Sequence, residues 1–343
     1  MNINAWLNTL GTRCRTLPVV ILYVTEGCNL RCLTCSYRHA RPDELSLQDI
    51  IELSLRLKAF GLRHIVYSGG EPLLRKDFPA ICAQFSSLGV RQTLLTNGVL
   101  LQARAPEVVP HLAEIIVSLD GPDSETHDGI RGGAAFDRIL TGLREVRALR
   151  DRPVLSVRTV VQKRNFRSLP AIVRLARNLH VERISFLAAD LLSDGFGRNG
   201  HAVHPSREAV LLDAGEVEEL SHLITRMAGE YREEFSQGFI AETPAKLRNI
   251  ALYYGALLGL NPFPSSACNA PQVSAVISSS GALLPCFFLP SFADLRQGDL
   301  ARVLNLENIR ATREAVRERS PDRCRTCVCT LHVSPAAALA DRF

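Results

Sequence analysis

Cys28-Asn29-Leu30-Arg31-Cys32-Leu33-Thr34-Cys35 places three cysteines at C-x3-C-x2-C spacing directly after the apolar run Val19 to Val24. A strand that delivers three thiols into one short loop prepares a metal site, because thiolates are soft ligands that select iron-sulphur clusters or zinc. Three thiols leave one position open. A [4Fe-4S] cluster held by three thiolates keeps one iron free to bind something else. A structural zinc site closes with four ligands, so the missing fourth argues for the cluster.

The rest of the chain suits an ordinary globular protein with such a site. It has 343 residues, 46% of them hydrophobic, enough for a large core. Its 40 basic and 35 acidic residues are spread throughout, and without a basic block charge gives no indication of nucleic-acid or membrane binding. The apolar runs are strand-length, short of the roughly 18 residues of a membrane span. No apolar secretory core precedes the first strand, so a cytoplasmic location is the expectation. Ten cysteines in a reducing compartment read as metal ligands rather than disulfides. Besides the first three they gather at Cys268, Cys286, Cys324, Cys327 and Cys329, while Cys14 and Cys82 read as small buried hydrophobes.

Six strand-like runs alternate with helical ones. The strands are Val19 to Thr25, His64 to Tyr67, Gln92 to Leu95, Ile115 to Leu119, Leu155 to Val161 and Arg183 to Leu187. Helices are expected from Ser46 to Phe60, Asp77 to Leu88, before His111, Ala134 to Arg150 and Ser168 to Asn178. This alternation predicts a parallel α/β sheet built from right-handed crossovers. Six units are too few for eight, so the expected architecture is a partial (β/α)6 TIM-like barrel with an open side. Ligands bind at the carboxyl ends of parallel strands, where the loops should converge. The segment Asp190 to Asp213 is long enough to act as a lid. Helices Ala214 to Phe235 and Thr243 to Leu258 follow, then a hairpin of Val273 to Ile277 and Leu283 to Phe287, and a helix from Leu306 to Glu318. The chain divides into a leader (1–18), the barrel (19–190), a loop and helical linker (191–260) and a cysteine-rich domain (261–343).

The three cysteines resemble the signature of the radical S-adenosylmethionine (SAM) enzymes. Gly69-Gly70-Glu71 after the second strand is similar to that family's G-G-E motif, and Ser118-Leu119-Asp120-Gly121-Pro122 after the fourth to its ribose-side motif. Taken alone, the glycines would be a turn and Ser118 a cap. The resemblance implies that Cys28, Cys32 and Cys35 hold a [4Fe-4S] cluster whose open iron chelates SAM, which one electron cleaves to methionine and a 5'-deoxyadenosyl radical. Gly69 and Gly70 would let backbone approach the ligand, and Glu71 would accept from the methionine ammonium. Ser118 would bind ribose hydroxyls, Arg131 the SAM carboxylate, and Phe186 and Leu187 the adenine, with Thr96 and Asn97 touching ligand or substrate. Leu33 stands where an aromatic residue is common, so Tyr37 would take over part of its adenine packing.

Four distant thiols could hold zinc. The pattern C-x12-G-x4-C followed by C-x2-C is, however, similar to the twitch domain, a half-SPASM extension. That resemblance implies one auxiliary [4Fe-4S] cluster held by Cys268, Cys286, Cys324 and Cys327, with Cys329 spare, as an alternative ligand, a hydrogen donor or a buried thiol. Cys329 and Asp190 are the candidate catalytic residues; Asp190, Asp194 and Arg198 are candidate substrate contacts, and His201 and His204 make an H-x2-H pair.

The resulting expectation is an oxidoreductase-type radical SAM enzyme that abstracts hydrogen from a small-molecule substrate. The substrate would be a sugar, aminocyclitol or nucleoside-type intermediate of natural-product biosynthesis, and the outcome dehydrogenation, epimerisation or bond formation. Its electrons would come from a donor such as flavodoxin or ferredoxin. The alternative is a maturase that crosslinks or epimerises a ribosomal peptide, although few residues precede the first strand to form a fused peptide-recognition domain. A molybdenum-cofactor cyclase would end in Gly-Gly, where this chain ends Asp341-Arg342-Phe343. The non-enzymatic alternative is a structural zinc adaptor or RNA-binding module.

Overall fold

The computed structural model describes residues 1–198, 207–265, 267–295, 298–329, 331–341 and 343. Six strands, β1 (Val19–Thr25), β2 (His64–Gly69), β3 (Arg91–Thr96), β4 (Glu114–Ser118), β5 (Val154–Val161) and β6 (Arg183–Ala188), pair in sequence order. Every pairing is parallel. The helices between them start and stop on local signals. Ser46 and Asp49 form a reciprocal cap at the start of Leu47–Ala59, and Gly61, at φ +93°, ends that helix as the Leu62 N–H returns to the Leu57 carbonyl.

Strand alternation sorts the side chains into two faces. Val20, Leu22, Val24, Ile65, Tyr67, Leu94, Ile115, Val117, Val157, Ile184 and Phe186 enter one large core with Ile50, Leu53, Ile81 and Phe85 from the helices. Each fully buried aliphatic side chain there contributes about 1.5–3 kcal/mol. Ile21 and Tyr23 point the other way, into a second cluster with Tyr37 and Val276. The sheet does not close on itself. At one end the edge of β6 is covered by Phe239–Ala241, where the Ile184 N–H donates to the Phe239 carbonyl and the Ala241 N–H donates to the Ile184 carbonyl. At the other, β7 (Ser274–Ile277) lies parallel to β1 and is followed by antiparallel β8 (Ala282–Leu284) and β9 (Ala293–Asp294). The cysteine-rich hairpin thus extends the barrel sheet, and its strands are shorter than the spans expected from sequence.

Three further features depart from the sequence reading. The leader holds a helix, Ile3–Leu10, capped by Asn2 and tied to the helix Pro335–Leu339 by the Asn2 N–H on the Leu339 carbonyl at 2.8 Å. A helix unforeseen from sequence, Ser124–Arg131, precedes Phe136–Ala148; Asp123 caps it and Gly132, at φ +71°, stops it. The expected lid is described over 190–198 and 207–213, the second part holding the short helix Arg207–Val210, while His201 and His204 lie outside the described residues. Among the described residues no helix is long and apolar enough to cross a membrane.

Candidate active site at the carboxyl rim of the sheet

The three-thiol loop leaves β1 and is held by backbone bonds. Cys28 N–H donates to the Arg38 carbonyl at 3.1 Å and Cys35 N–H to that of Cys32 at 3.3 Å. Arg31 and Leu33 donate to the carbonyls of Arg131 and Ile130 at 3.1 and 3.0 Å, seating the loop on the end of helix Ser124–Arg131. That close approach is why Gly132 is needed, since a Cβ there would lie 2.3 Å from the Arg31 carbonyl oxygen. The thiols of Cys28, Cys32 and Cys35 remain partly exposed. Burial pushes the Cys35 thiol up to about 11 and raises Cys28 as well, so a metal that takes them as thiolates displaces their protons.

A later loop and the end of a helix reach these sulphurs. Asn97 Nδ2 lies 3.9 Å from Cys28 Sγ and 2.7 Å from Asn29 Oδ1. Arg131 Nη1 lies 3.8 Å from Cys32 Sγ, while Arg131 Nε pairs with Asp120 Oδ2 at 2.7 Å. Burial works against the charge of Arg131, but Asp120 and Cys32 outweigh it and hold the guanidinium charged. Asp120 is fixed in turn by the Val160 N–H at 2.7 Å. Ser118, on the end of β4, remains partly exposed on the same rim.

The Gly69-Gly70-Glu71 turn does more than the expected ligand approach. A Cβ on Gly69, whose φ is +114°, would sit 2.3 Å from the Thr25 carbonyl oxygen, and one on Gly70 would sit 2.1 Å from that of Gly27. The glycines let this turn lie against the start of the cysteine loop, where Gly70 and Glu71 N–H groups donate to Thr25 and Gly27 at 2.7 and 2.8 Å. Glu71 is wholly buried rather than presented to a ligand. Its Oε1 accepts from Thr96 Oγ1 at 2.8 Å and the Leu73 N–H at 3.0 Å, and its Oε2 from the Asn97 N–H at 2.7 Å. Burial raises its carboxyl to about 7, although these donors oppose the rise. Glu71 and Thr96 therefore act as a brace that aims Asn97 at the thiol loop.

Strand alternation turns Phe186 towards the main core and Leu187 towards the opposite face, yet both border one cleft. Leu187 lines a cleft of about 460 Å³ with Lys246, Tyr253, Cys327 and Val328. Tyr37 packs edge-on against Tyr23, their ring centroids 6.1 Å apart.

The five C-terminal cysteines line one chamber of about 740 Å³, to which Ile21 and Val276 also contribute from β1 and β7. Gly281, at φ +89°, turns the hairpin that delivers Cys286. Asn269, beside Cys268, clamps the far segment through Val333 at 2.8 and 2.9 Å and Leu331 at 2.9 Å. Cys327 Sγ donates to the Cys329 carbonyl at 2.7 Å. Among the described residues no three thiol, imidazole or carboxylate groups converge on a point for a single metal ion. In a cluster each iron takes its own thiolate, so a cluster would not require these thiols to converge on one point.

Sequence reading missed the strap joining the two cysteine regions. The Phe196 carbonyl accepts from Ser36 N–H at 2.9 Å and from Cys35 Sγ at 3.7 Å, while its ring stacks on Phe287, next to Cys286, at 6.5 Å. Arg198 holds this turn, donating from Nε to the Gly195 carbonyl at 2.7 Å and pairing with Asp190. Asp190 and Arg198 are thus spent on each other, both buried, rather than offered to a substrate. The sequence signal was Gly195-Phe196-Gly197 opposite Phe287-Phe288, which only the fold brings together.

The model of the radical SAM superfamily matches residues 22–176, and that of SPASM, an iron-sulphur cluster-binding domain, matches residues 268–328. The chain is 36% identical over 176 residues to Fe-coproporphyrin III synthase of Methanosarcina barkeri, covering 49% of this chain and 43% of that protein. It is 28% identical over 319 residues to the AdoMet-dependent heme synthase of the same organism, covering 89% and 86%. Its fold is similar to that of SuiB from Streptococcus suis bound to S-adenosylmethionine, with a TM-score of 0.62 at 16% identity over 94% of this chain and 72% of that one. Against SuiB bound to its precursor peptide SuiA the TM-score is 0.61 at 17% identity, over 87% and 67%.

Proposed function

Because the chain is a radical SAM protein with a C-terminal SPASM iron-sulphur domain, we propose that it abstracts a hydrogen atom from a small-molecule substrate and oxidises, epimerises or joins it. The domains imply a [4Fe-4S] cluster with SAM and an auxiliary iron-sulphur cluster; together they supply a 5'-deoxyadenosyl radical and an electron acceptor. Cys28, Cys32 and Cys35 hold the first cluster in this reading, and Cys268, Cys286, Cys324 and Cys327 the second. Ser118 and Leu187 face SAM, and Arg131 orients its carboxylate while remaining paired to Asp120. Glu71, Thr96, Gly69 and Gly70 position the thiol loop and Asn97, and Cys329 stays outside the ligand set.

The observation that carries this reading is the convergence of Asn97, from the loop after β3, and Arg131, from the end of the helix after β4, on Cys28 and Cys32. The test is anaerobic reconstitution with iron and sulphide, then dithionite and SAM. The protein should form 5'-deoxyadenosine, and Ser118→Ala should raise the KM for SAM. No 5'-deoxyadenosine from iron-replete protein would overturn the reading.

A peptide substrate is the second reading, favoured by the fold shared with SuiB, which binds the precursor peptide SuiA. A short precursor-peptide gene beside this one would favour it; neighbouring genes for sugar or aminocyclitol enzymes would favour the small molecule.

A further inference from the structure

Arg158 stands near the middle of β5 on the barrel's inner face, in a row set by strand register: Ser118 on β4, Arg158, then Ser185 on β6. Its inward neighbours along and across the strands are mixed, Ser118, Ser156 and Ser185 beside Ile116, Val160 and Leu187. Arg158 Nε donates to Ser185 Oγ at 3.0 Å, which fixes the plane of the guanidinium. Among the described residues its two terminal nitrogens have no hydrogen-bond partner and it makes no ion pair. Its charge acts on two nearby groups, the Cys329 thiol and the Glu242 carboxyl, but Glu242 Oε2 accepts the Phe186 N–H at 2.8 Å, and among the described residues neither forms an ion pair with Arg158. A partly exposed guanidinium held in one plane with both terminal nitrogens free of protein partners matches an anion with two acceptor oxygens. Lysine would not reproduce this planar fork.

We propose that Arg158 anchors an anionic group of the substrate, a carboxylate or phosphate gripped by its free fork, beside the SAM position marked by Ser118. Lys246, on the helix Pro244–Leu257, lines the adjoining cleft with Leu187 and Tyr253 and supplies a second cation near its exposed side. The substrate class is accordingly an anion, which deepens and rests on the radical SAM reading above. Arg158 is kept distinct from Arg131, whose guanidinium is already paired to Asp120 and lies against Cys32.

The test is arginine labelling with phenylglyoxal on the reconstituted protein, with Arg158 followed by peptide mass spectrometry. Labelling of Arg158 should slow at least fivefold in benzoate or in pyrophosphate and be unchanged in benzamide. Protection by benzoate identifies a carboxylate and protection by pyrophosphate a phosphate. Arg158→Gln should still form 5'-deoxyadenosine, without added substrate, within twofold of the unaltered protein. Unchanged labelling in both anions overturns the proposal. So does protection by SAM alone together with loss of 5'-deoxyadenosine in Arg158→Gln, which would assign Arg158 to SAM. A brown protein that cleaves SAM but shows no anion protection loses the anchor and keeps the radical reading. An anion-protected arginine in a protein that neither holds iron nor cleaves SAM does the reverse.

Discussion

Replacing Glu71 separates a brace from a ligand contact. Its carboxylate satisfies three donors in a site closed to water: Thr96 Oγ1 and the N–H groups of Leu73 and Asn97. Glu71→Leu leaves all three without a partner. At about 1–3 kcal/mol for each buried unsatisfied group, the loss should be about 3 kcal/mol or more. Glu71→Gln retains acceptor capacity and should cost less. The two also differ in pH dependence. The folded carboxyl titrates near 7 against an ordinary 4.5, so the folded state holds its proton more tightly than the unfolded one. That contribution is fully present below 4.5 and is lost as pH rises to about 7, roughly 3 kcal/mol at 1.36 kcal/mol per unit. Urea unfolding between pH 4.5 and 8 should therefore show a steeper fall for the unaltered protein than for Glu71→Gln. Equal slopes would refute the buried-brace account. So would a Glu71→Gln protein of unchanged stability that no longer forms 5'-deoxyadenosine, because the carboxylate would then act on SAM directly.

Gly70→Ala forces a Cβ to within 2.1 Å of the Gly27 carbonyl oxygen; overpacking of this kind costs about 1–3 kcal/mol, and iron analysis should show the first cluster depleted. Arg131→Gln leaves Asp120 charged and buried without its partner, a loss of about 3–5 kcal/mol in denaturant unfolding, and Asp120→Asn in the same chain should restore part of it. Cys286→Ser should lower the iron content from about eight to about four per chain, while Cys329→Ser leaves it unchanged; the opposite pattern would make Cys329 the ligand.

Much of this site was legible because its signals are local. Cys28, Cys32 and Cys35 lie on one short loop, and the strands before the Gly69, Asn97 and Ser118 loops carry their own apolar pattern. Ser46 and Gly61 mark the bounds of their helix by chemistry independent of the rest of the chain. What escaped depends on partners distant in sequence. The need for Gly70 lies in Gly27, the role of Glu71 in Thr96 and Asn97, and the pairing of β7 with β1 in a register across more than two hundred residues. Phe186 and Leu187 were named together because the resemblance marks the end of a strand and does not say which of two alternating side chains joins the core. Asp190 and Arg198 looked available for substrate because nothing between them announces that they close on each other.

The central claim is tested most directly by the triple variant Cys28→Ala, Cys32→Ala, Cys35→Ala, purified and reconstituted without oxygen beside the unaltered protein. The account predicts about eight irons per chain in the unaltered protein and about four in the variant, with 5'-deoxyadenosine formed from SAM and dithionite only by the first. A variant that still forms 5'-deoxyadenosine, or an unaltered protein that is colourless and holds zinc without sulphide, would contradict it.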